Sequence, residues 1–349
     1  MIRESTYKPM NGKLVCTLMM QESADKFLKE HEDILLNTYG DYRSKYAAVV
    51  KKENGSENGY AIEVGFHPLK TFDKSFEDSD STHLYNINIF KNLFKHKNEG
   101  LRHEVDCGDI QFKPINNIKY HVEDIRGESI RKYKKITGGV SVFDKGLRIS
   151  SGTAGAFFTV KNDESIYMLS NFHVLLYQTG NVGDEIVHPS KADGSGASEV
   201  IGEIFWKGGM KDGEMDAAIA KINYPVNIGK YNRCNIPFEG IMAPKNDDII
   251  RKCGKKTGLT DGEIRSTNCT FDISTLENEN EFNRHRNQVL TTKMSMPGDS
   301  GSVIVNEQNK VVGLIYAGDE VSVSFAIDIT KIFDKVQQDH PEFIFETFV

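Results

Sequence analysis

The chain has 349 residues, 38% of them hydrophobic and 10% aromatic, enough to build cores in two or three modules. Its 43 basic and 50 acidic residues leave a net charge of −7, which speaks against an electrostatic nucleic-acid binder. No window approaches the roughly 18 unbroken apolar residues of a membrane span, and Met1–Lys8 lacks an apolar run of signal-peptide length.

Residues 1–130 read as a separate α+β module. Gln21 to Tyr39 is expected to be helical, with Ser23 as its N-cap and Phe27, Leu28, His31, Leu35 and Leu36 at helical spacing. Two strand-like runs follow, residues 46–51 and 59–66, joined by the turn-rich 53–58 as a hairpin. Residues 77–82 form a polar, acidic loop, and Tyr85 to His96 is a second amphipathic segment. Short strands are expected at 110–114 and 118–122. No catalytic constellation stands out in this part. Recognition, autoinhibition, docking to a protein partner, or a plain structural role all fit it.

From residue 136 to 340 the pattern changes to many short strands separated by turns, as barrels have. The runs 155–160, 166–170, 198–205, 217–221, 289–292, 302–306, 311–316 and 322–327 are the predicted strands. Asp328 to Gln338 differs, because Ile329, Ile332, Phe333 and Val336 make one helical stripe. The apolar tail 341–349 is expected to pack against the domain, with pairing to a sheet edge or binding a partner as alternatives.

Within this region Met296-Pro297-Gly298-Asp299-Ser300-Gly301-Ser302 carries the strongest chemical signal. Flanking glycines let the chain turn tightly, so that N–H groups converge where an oxyanion would form if the Ser300 hydroxyl attacked a carbonyl. Upstream lie Ser170-Asn171-Phe172-His173 and Met215-Asp216-Ala217, giving the order His…Asp…Ser. A serine needs a neighbouring base, and histidine accepts and returns a proton near neutral pH. Asp216 would fix the imidazole tautomer, while the N–H groups of Gly298 and Ser300 would stabilise the oxyanion. Taken singly, each residue also fits a turn or a hydrogen-bonded core position.

In these contexts the chain resembles the trypsin/chymotrypsin family of serine peptidases over about residues 136–340. Gly152–Phe158 and Gly254–Gly262 resemble a bacterial, disulfide-poor branch of it. The resemblance implies a mainly β fold, a chymotrypsin-like double β-barrel with a C-terminal helix, here preceded by the small α+β domain. It implies a serine endopeptidase with protein or peptide substrates. By the same resemblance Met294 lines the floor of the primary pocket and Tyr316, Ala317 and Gly318 form its wall. Met294 carries no charge to pair with a buried cation, which favours small or apolar residues before the cut, while Asp319 and Glu320 offer acid at the rim. Lys135-Ile136-Thr137-Gly138-Gly139 resembles the family's activation site, whose freed amino group would reach Asp299. An uncut chain is the simpler reading.

Five scattered cysteines (16, 107, 234, 253 and 269) do not flank His173 or Ser300 as in secreted relatives, so reduced thiols and a cytoplasmic location are expected. Metal-ligand spacings are absent, no cofactor is expected, and His188 before Pro189 reads as a loop residue. Gly254-Lys255-Lys256-Thr257 lacks the leading glycine of a phosphate-binding loop, since position 249 is Ile. The rival to an active enzyme is a decayed scaffold that only binds.

Overall fold

The computed structural model describes residues 21–39, 42–54, 57–68, 110–114, 118–120, 135–146, 151–190, 198–226, 230–276 and 281–349. The chain forms two compact units, one taking in residues up to Asn117 with Asn268–Phe271, the other the remainder. Of the cysteines, 16 and 107 lie outside the described residues, as do the segments 77–82 and 85–96.

The first unit lays helix α1 (Gln21–Leu35) on a sheet. Strands β1 (Thr38–Tyr39), β2 (Tyr42–Asn54) and β3 (Glu57–Pro68) run antiparallel, and β4 (Ile110–Pro114) joins β3 in parallel. Residues Cys269–Phe271 of a later strand pair with Tyr46–Ala48 of β2. The α1 stripe of Ala24, Phe27, Leu28 and Leu35 packs with Ala47, Val49, Ile62, Val64 and Phe66. Alternation along β2 and β3 selects which side chains face the helix. The expected helix ran to Tyr39, but it ends at Leu35, because Thr38 and Tyr39 instead pair with the start of β2. Ser23 lies inside the helix and is not its cap.

The second unit begins with β5 (Lys119–Tyr120), then β6 (Ser141–Asp144), β7 (Gly152–Thr153), β8 (Ala156–Val160) and β9 (Asp163–Ser170). A single turn, α2 (Phe172–Leu175), leads to β10 (Glu185–His188), β11 (Glu199–Lys207) and β12 (Ala218–Ile222). There follow β13 (Ile249–Gly254), β14 (Gly258–Ser274), β15 (Phe282–Thr292), β16 (Val303–Asn306), β17 (Val311–Gly318) and β18 (Val323–Asp328). Helix α3 (Ile329–Asp339) and strand β19 (Phe345–Phe348) close the chain. One sheet has the order β19-β8-β9-β12-β11-β10-β6-β7. In the other, β13-β16-β17-β18-β15-β14 returns to β13 through the β13–β14 pairing, which closes a six-stranded barrel. The chain is thus mainly β with a C-terminal helix, as the resemblance implies.

The α3 stripe is buried as its spacing predicts, and Asp328 caps the helix by accepting from the Thr330 N–H at 2.9 Å. The tail does more than pack. Its β19 adds to the edge of β8, and Phe343 and Phe345 meet Phe158 and Phe333 in edge-on or tilted contacts. His188 is not in a loop but ends β10, buried, with Nδ1 2.6 Å from the Ser141 carbonyl oxygen.

Cys234 and Cys253 form a disulfide, where reduced thiols were expected, because the fold brings their Cα atoms to 5.9 Å. That pairing removes the support the cysteines lent to a cytoplasmic location. Cys269 is a buried thiol. Among the described residues no helix is long and apolar enough to cross a membrane.

At the β8–β9 turn, the Asp163 carboxylate accepts from the Tyr167 hydroxyl at 2.6 Å and the Ser165 N–H at 2.8 Å. These bonds hold its pKa at about 2, below the ordinary 3.8. A depressed carboxyl contributes stability that is present above pH 3.8 and lost as pH falls through about 2. In acid unfolding curves, Asp163→Asn is therefore expected to lower stability at neutral pH and to narrow its gap to wild type as pH drops from 4 toward 2. A gap independent of pH would contradict this account.

Candidate active site

The β9–β12 pairing sets His173 against Asp216. Ala218 at the start of β12 lies opposite Ser170 at the end of β9, so residues just beyond these ends are forced together. The chain leaves β9 through Asn171, whose side-chain amide donates to the Asp216 carbonyl at 2.8 Å, and enters α2. There the His173 backbone N–H donates to Asp216 Oδ1 at 2.9 Å, and its ring Nδ1 lies 2.6 Å from Oδ2. Both side chains are fully buried. A carboxylate withdrawn from water loses several kcal/mol of solvation, and these two donors offset part of that loss. They also fix the plane of the imidazole.

Ser300 sits in a turn built on two glycines of positive φ, Gly298 at +100° and Gly301 at +92°. At Gly301 a Cβ would stand 2.1 Å from the Thr153 carbonyl oxygen and 2.3 Å from Ser170 Oγ, so only glycine fits. Thr153 ties the turn down. Its N–H donates to the Ser300 carbonyl at 2.8 Å, and its hydroxyl to the Gly298 carbonyl at 2.9 Å. The Thr153 carbonyl in turn accepts from Ser170 Oγ at 2.8 Å. A Cβ on the neighbouring Gly152 would lie 2.4 Å from Val174 and 3.0 Å from the Ser300 oxygen. Ser300 is thus brought beside the turn that carries His173. In this state its hydroxyl donates to the Tyr316 carbonyl at 3.1 Å. The N–H groups of Gly298 and Ser300 have no acceptor among the described residues.

Met294, Tyr316, Ala317 and Gly318, the residues expected at the primary pocket, are all buried. Met294 belongs to the barrel's apolar cluster with Ile250, Ile264, Val289, Ile304, Val312, Ile315 and Ala326. The Tyr316 hydroxyl donates to Gln288 Oε1 at 3.0 Å, and its ring lies 5.7 Å from His285, whose pKa burial pushes down despite nearby carboxylates. Ala317 and Gly318 lie between β18 and β5. Asp319 does not offer acid at a rim. It is buried, and its carboxylate accepts from the N–H groups of Val321, Ser322 and Val323, closing its own turn.

Of the residues that resemble an activation site, Lys135 is exposed while Ile136 is buried, its N–H donating to the Pro225 carbonyl at 3.0 Å. Asp299 is already satisfied in this uncut chain. Lys252 Nζ lies 3.1 Å from Oδ2, with both side chains inaccessible to water. The carboxylate also accepts from the N–H groups of Lys256, Thr257 and Met296 at 3.0 Å and from the Thr257 hydroxyl at 2.7 Å. Burial lowers the Lys252 pKa, and the Asp299 charge and hydrogen bond oppose that shift. The Gly254-Lys255-Lys256-Thr257 run, which lacks a phosphate-binding loop's spacing, serves here as a cradle for this carboxylate. A Cβ on Gly254 would stand 2.1 Å from Asp299 Oδ1. The roles of Thr153 and Lys252 carry no local signal in the sequence, because nothing nearby marks a strand threonine or lysine whose partner is distant in the chain.

No family model and no curated protein matches the chain. Solved structures do. A Nocardiopsis protease is 14% identical with a TM-score of 0.44, the match covering 58% of this chain and 96% of that one. Thermobifida fusca protease A is 16% identical with a TM-score of 0.44, over 61% of this chain and 99% of that one. A Cellulomonas bogoriensis chymotrypsin is 17% identical with a TM-score of 0.41, over 58% and 96%.

Removing one member of a buried ion pair leaves the other charge without compensation, a loss of about 3–5 kcal/mol. Lys252→Met is expected to destabilise the chain by that order in denaturant unfolding, and the Lys252→Met, Asp299→Asn double variant to recover most of it. Additive losses would show that the two charges do not depend on one another.

Proposed function

We propose that the chain is a serine endopeptidase acting through an acyl-enzyme, with Ser300 as nucleophile, His173 as base and acid, and Asp216 as the group that orients His173. The observation that carries this reading is the buried Asp216 carboxylate holding both the backbone N–H and the ring Nδ1 of His173 beside the Ser300 turn. With Nδ1–H donating to Asp216, the other ring nitrogen is left as the acceptor for a proton.

The Ser300 hydroxyl turns from the Tyr316 carbonyl toward His173 by rotation about its side-chain bond. Its oxygen bonds to the substrate's carbonyl carbon as its proton passes to His173 Nε2. The carbonyl oxygen takes the negative charge between the N–H groups of Gly298 and Ser300, each such donor stabilising the transition state by about 3–4 kcal/mol. As the C–N bond breaks, the imidazolium returns its proton to the leaving amine. Water then attacks the ester by the same steps, releasing the acid and restoring Ser300.

Met294 would form the floor of the primary pocket, with Tyr316, Ala317 and Gly318 beside it. The absence of charge at Met294, with Asp319 committed to its own turn, supports small or apolar residues before the cut. The Lys252 ammonium takes the place beside Asp299 that a freed Ile136 amino group would otherwise fill, which favours activity in the uncut chain over activation between Lys135 and Ile136. Residues 1–130 are the part of the chain suited to regulation or to docking a protein partner. One observation favours the rival reading of a decayed, binding-only scaffold: the Ser300 hydroxyl's present bond to Tyr316.

A fluorophosphonate reagent separates the two readings. It is expected to add once, at Ser300, and Ser300→Ala is expected to lose labelling and about a millionfold in kcat toward peptides while melting as wild type does. An unlabelled wild-type chain, or undiminished turnover by Ser300→Ala, would overturn the proposal.

A further inference from the structure

Along β17 the neighbours on one edge follow a definite succession. Strand β16 pairs with it from Val311 to Leu314. The serine turn comes next, since the Gly301 N–H donates to the Ile315 carbonyl at 3.0 Å and the Ile315 N–H to the Ser302 carbonyl at 2.9 Å. The Ser300 hydroxyl reaches the Tyr316 carbonyl. Immediately beyond, the edge passes to β5, with Tyr120 opposite Ala317 and Lys119 opposite Gly318. The pairing is antiparallel, so β5 runs along β17 toward Tyr316 and the nucleophile. On its other edge the same stretch of β17 is held by Phe325 and Ser324 of β18.

A polypeptide delivered to Ser300 must be extended, because only an extended chain pairs with a strand edge through its backbone while leaving each carbonyl accessible in turn. The Ala317–Gly318 edge is the stretch of β17 next in line to Ser300, and the chain's own β5 fills it. On the serine-endopeptidase reading this edge receives the extended substrate, and we propose that Ile118–Tyr120 occupies it at rest as an intramolecular competitor. The inference rests on the serine-endopeptidase reading.

The segment has the properties of a competitor. Ile118 is buried and anchors it, Lys119 is exposed, and among the described residues the pairing spans two register positions. Tethering gives so short a strand a high effective concentration, but incoming substrate displaces it by mass action. Such competition raises the apparent KM and leaves kcat unchanged, because the displaced state is the same active enzyme.

The test uses the full chain, with unfolded casein as the extended substrate and a small fluorophosphonate as a probe that needs no strand edge. Lys119→Pro fixes φ and takes a backbone N–H out of β5, and Ile118→Ala weakens the anchor without touching the backbone. Both variants are expected to label at Ser300 as wild type does. The KM for casein is expected to fall about three- to tenfold, at unchanged kcat. Should Lys119→Pro fail to fold, Ile118→Ala alone decides. Labelling at Ser300 without any fall in KM would overturn the occupancy while leaving the protease reading in place. No labelling in wild type or either variant would overturn the protease reading and this one with it.

Discussion

Thr153, half of a two-residue strand, holds the serine turn against the strand that leads to the histidine. Its N–H and hydroxyl grip the carbonyls of Ser300 and Gly298, its carbonyl takes the Ser170 hydroxyl, and its Oγ1 accepts from the Lys255 N–H at 3.0 Å. All of these groups are buried, so each lost bond would leave a desolvated polar atom without compensation. The geometry therefore has little freedom to relax. Gly152 and Gly155 admit this closeness, since a Cβ on Gly155 would stand 2.5 Å from the Gly301 carbonyl oxygen.

Two buried carboxylates then do different things on either side of this junction. Asp216 grips a histidine and its backbone, and so orients a ring. Asp299 neighbours Ser300 in sequence but points into the Gly254–Thr257 cradle and Lys252, and so fixes the turn that carries Ser300. Neither arrangement is strong evidence of stability, because desolvation takes back much of what the Coulomb attraction supplies. Both enforce a particular geometry.

What the sequence revealed follows from the range of the forces involved. The Gly-Asp-Ser-Gly turn, the α3 stripe with its aspartate cap and the β2–β3 hairpin are local patterns, and the structure has them where they were expected. Strands β6, β7, β10, β13 and β14 and the first part of β15 were missed. The first four, at two to six residues, are too short for periodicity to register, while β14 is long but threaded with Gly, Thr, Asp, Ser and Asn, and pairing with distant strands defines them. The same holds for the end of α1, where Thr38 and Tyr39 are drawn into a strand by β2. Of the residues proposed for the site, His173, Asp216 and Ser300 stand in contexts that can be read locally in the sequence. Lys252 and Thr153 do not, nor does the Cys234–Cys253 pair, since their partners are chosen by tertiary structure alone. The short strand at 118–122 was anticipated, but its partner, the edge beside Ser300, was not legible.

The central claim is that His173 and Ser300 act as one chemical unit. The direct measurement is a cycle of kcat/KM values for His173→Ala, Ser300→Ala and the double variant on one peptide substrate. A shared proton transfer predicts that the double variant loses no more than either single one. Losses that multiply, or a Ser300→Ala chain that still turns over at the wild-type rate, would contradict it.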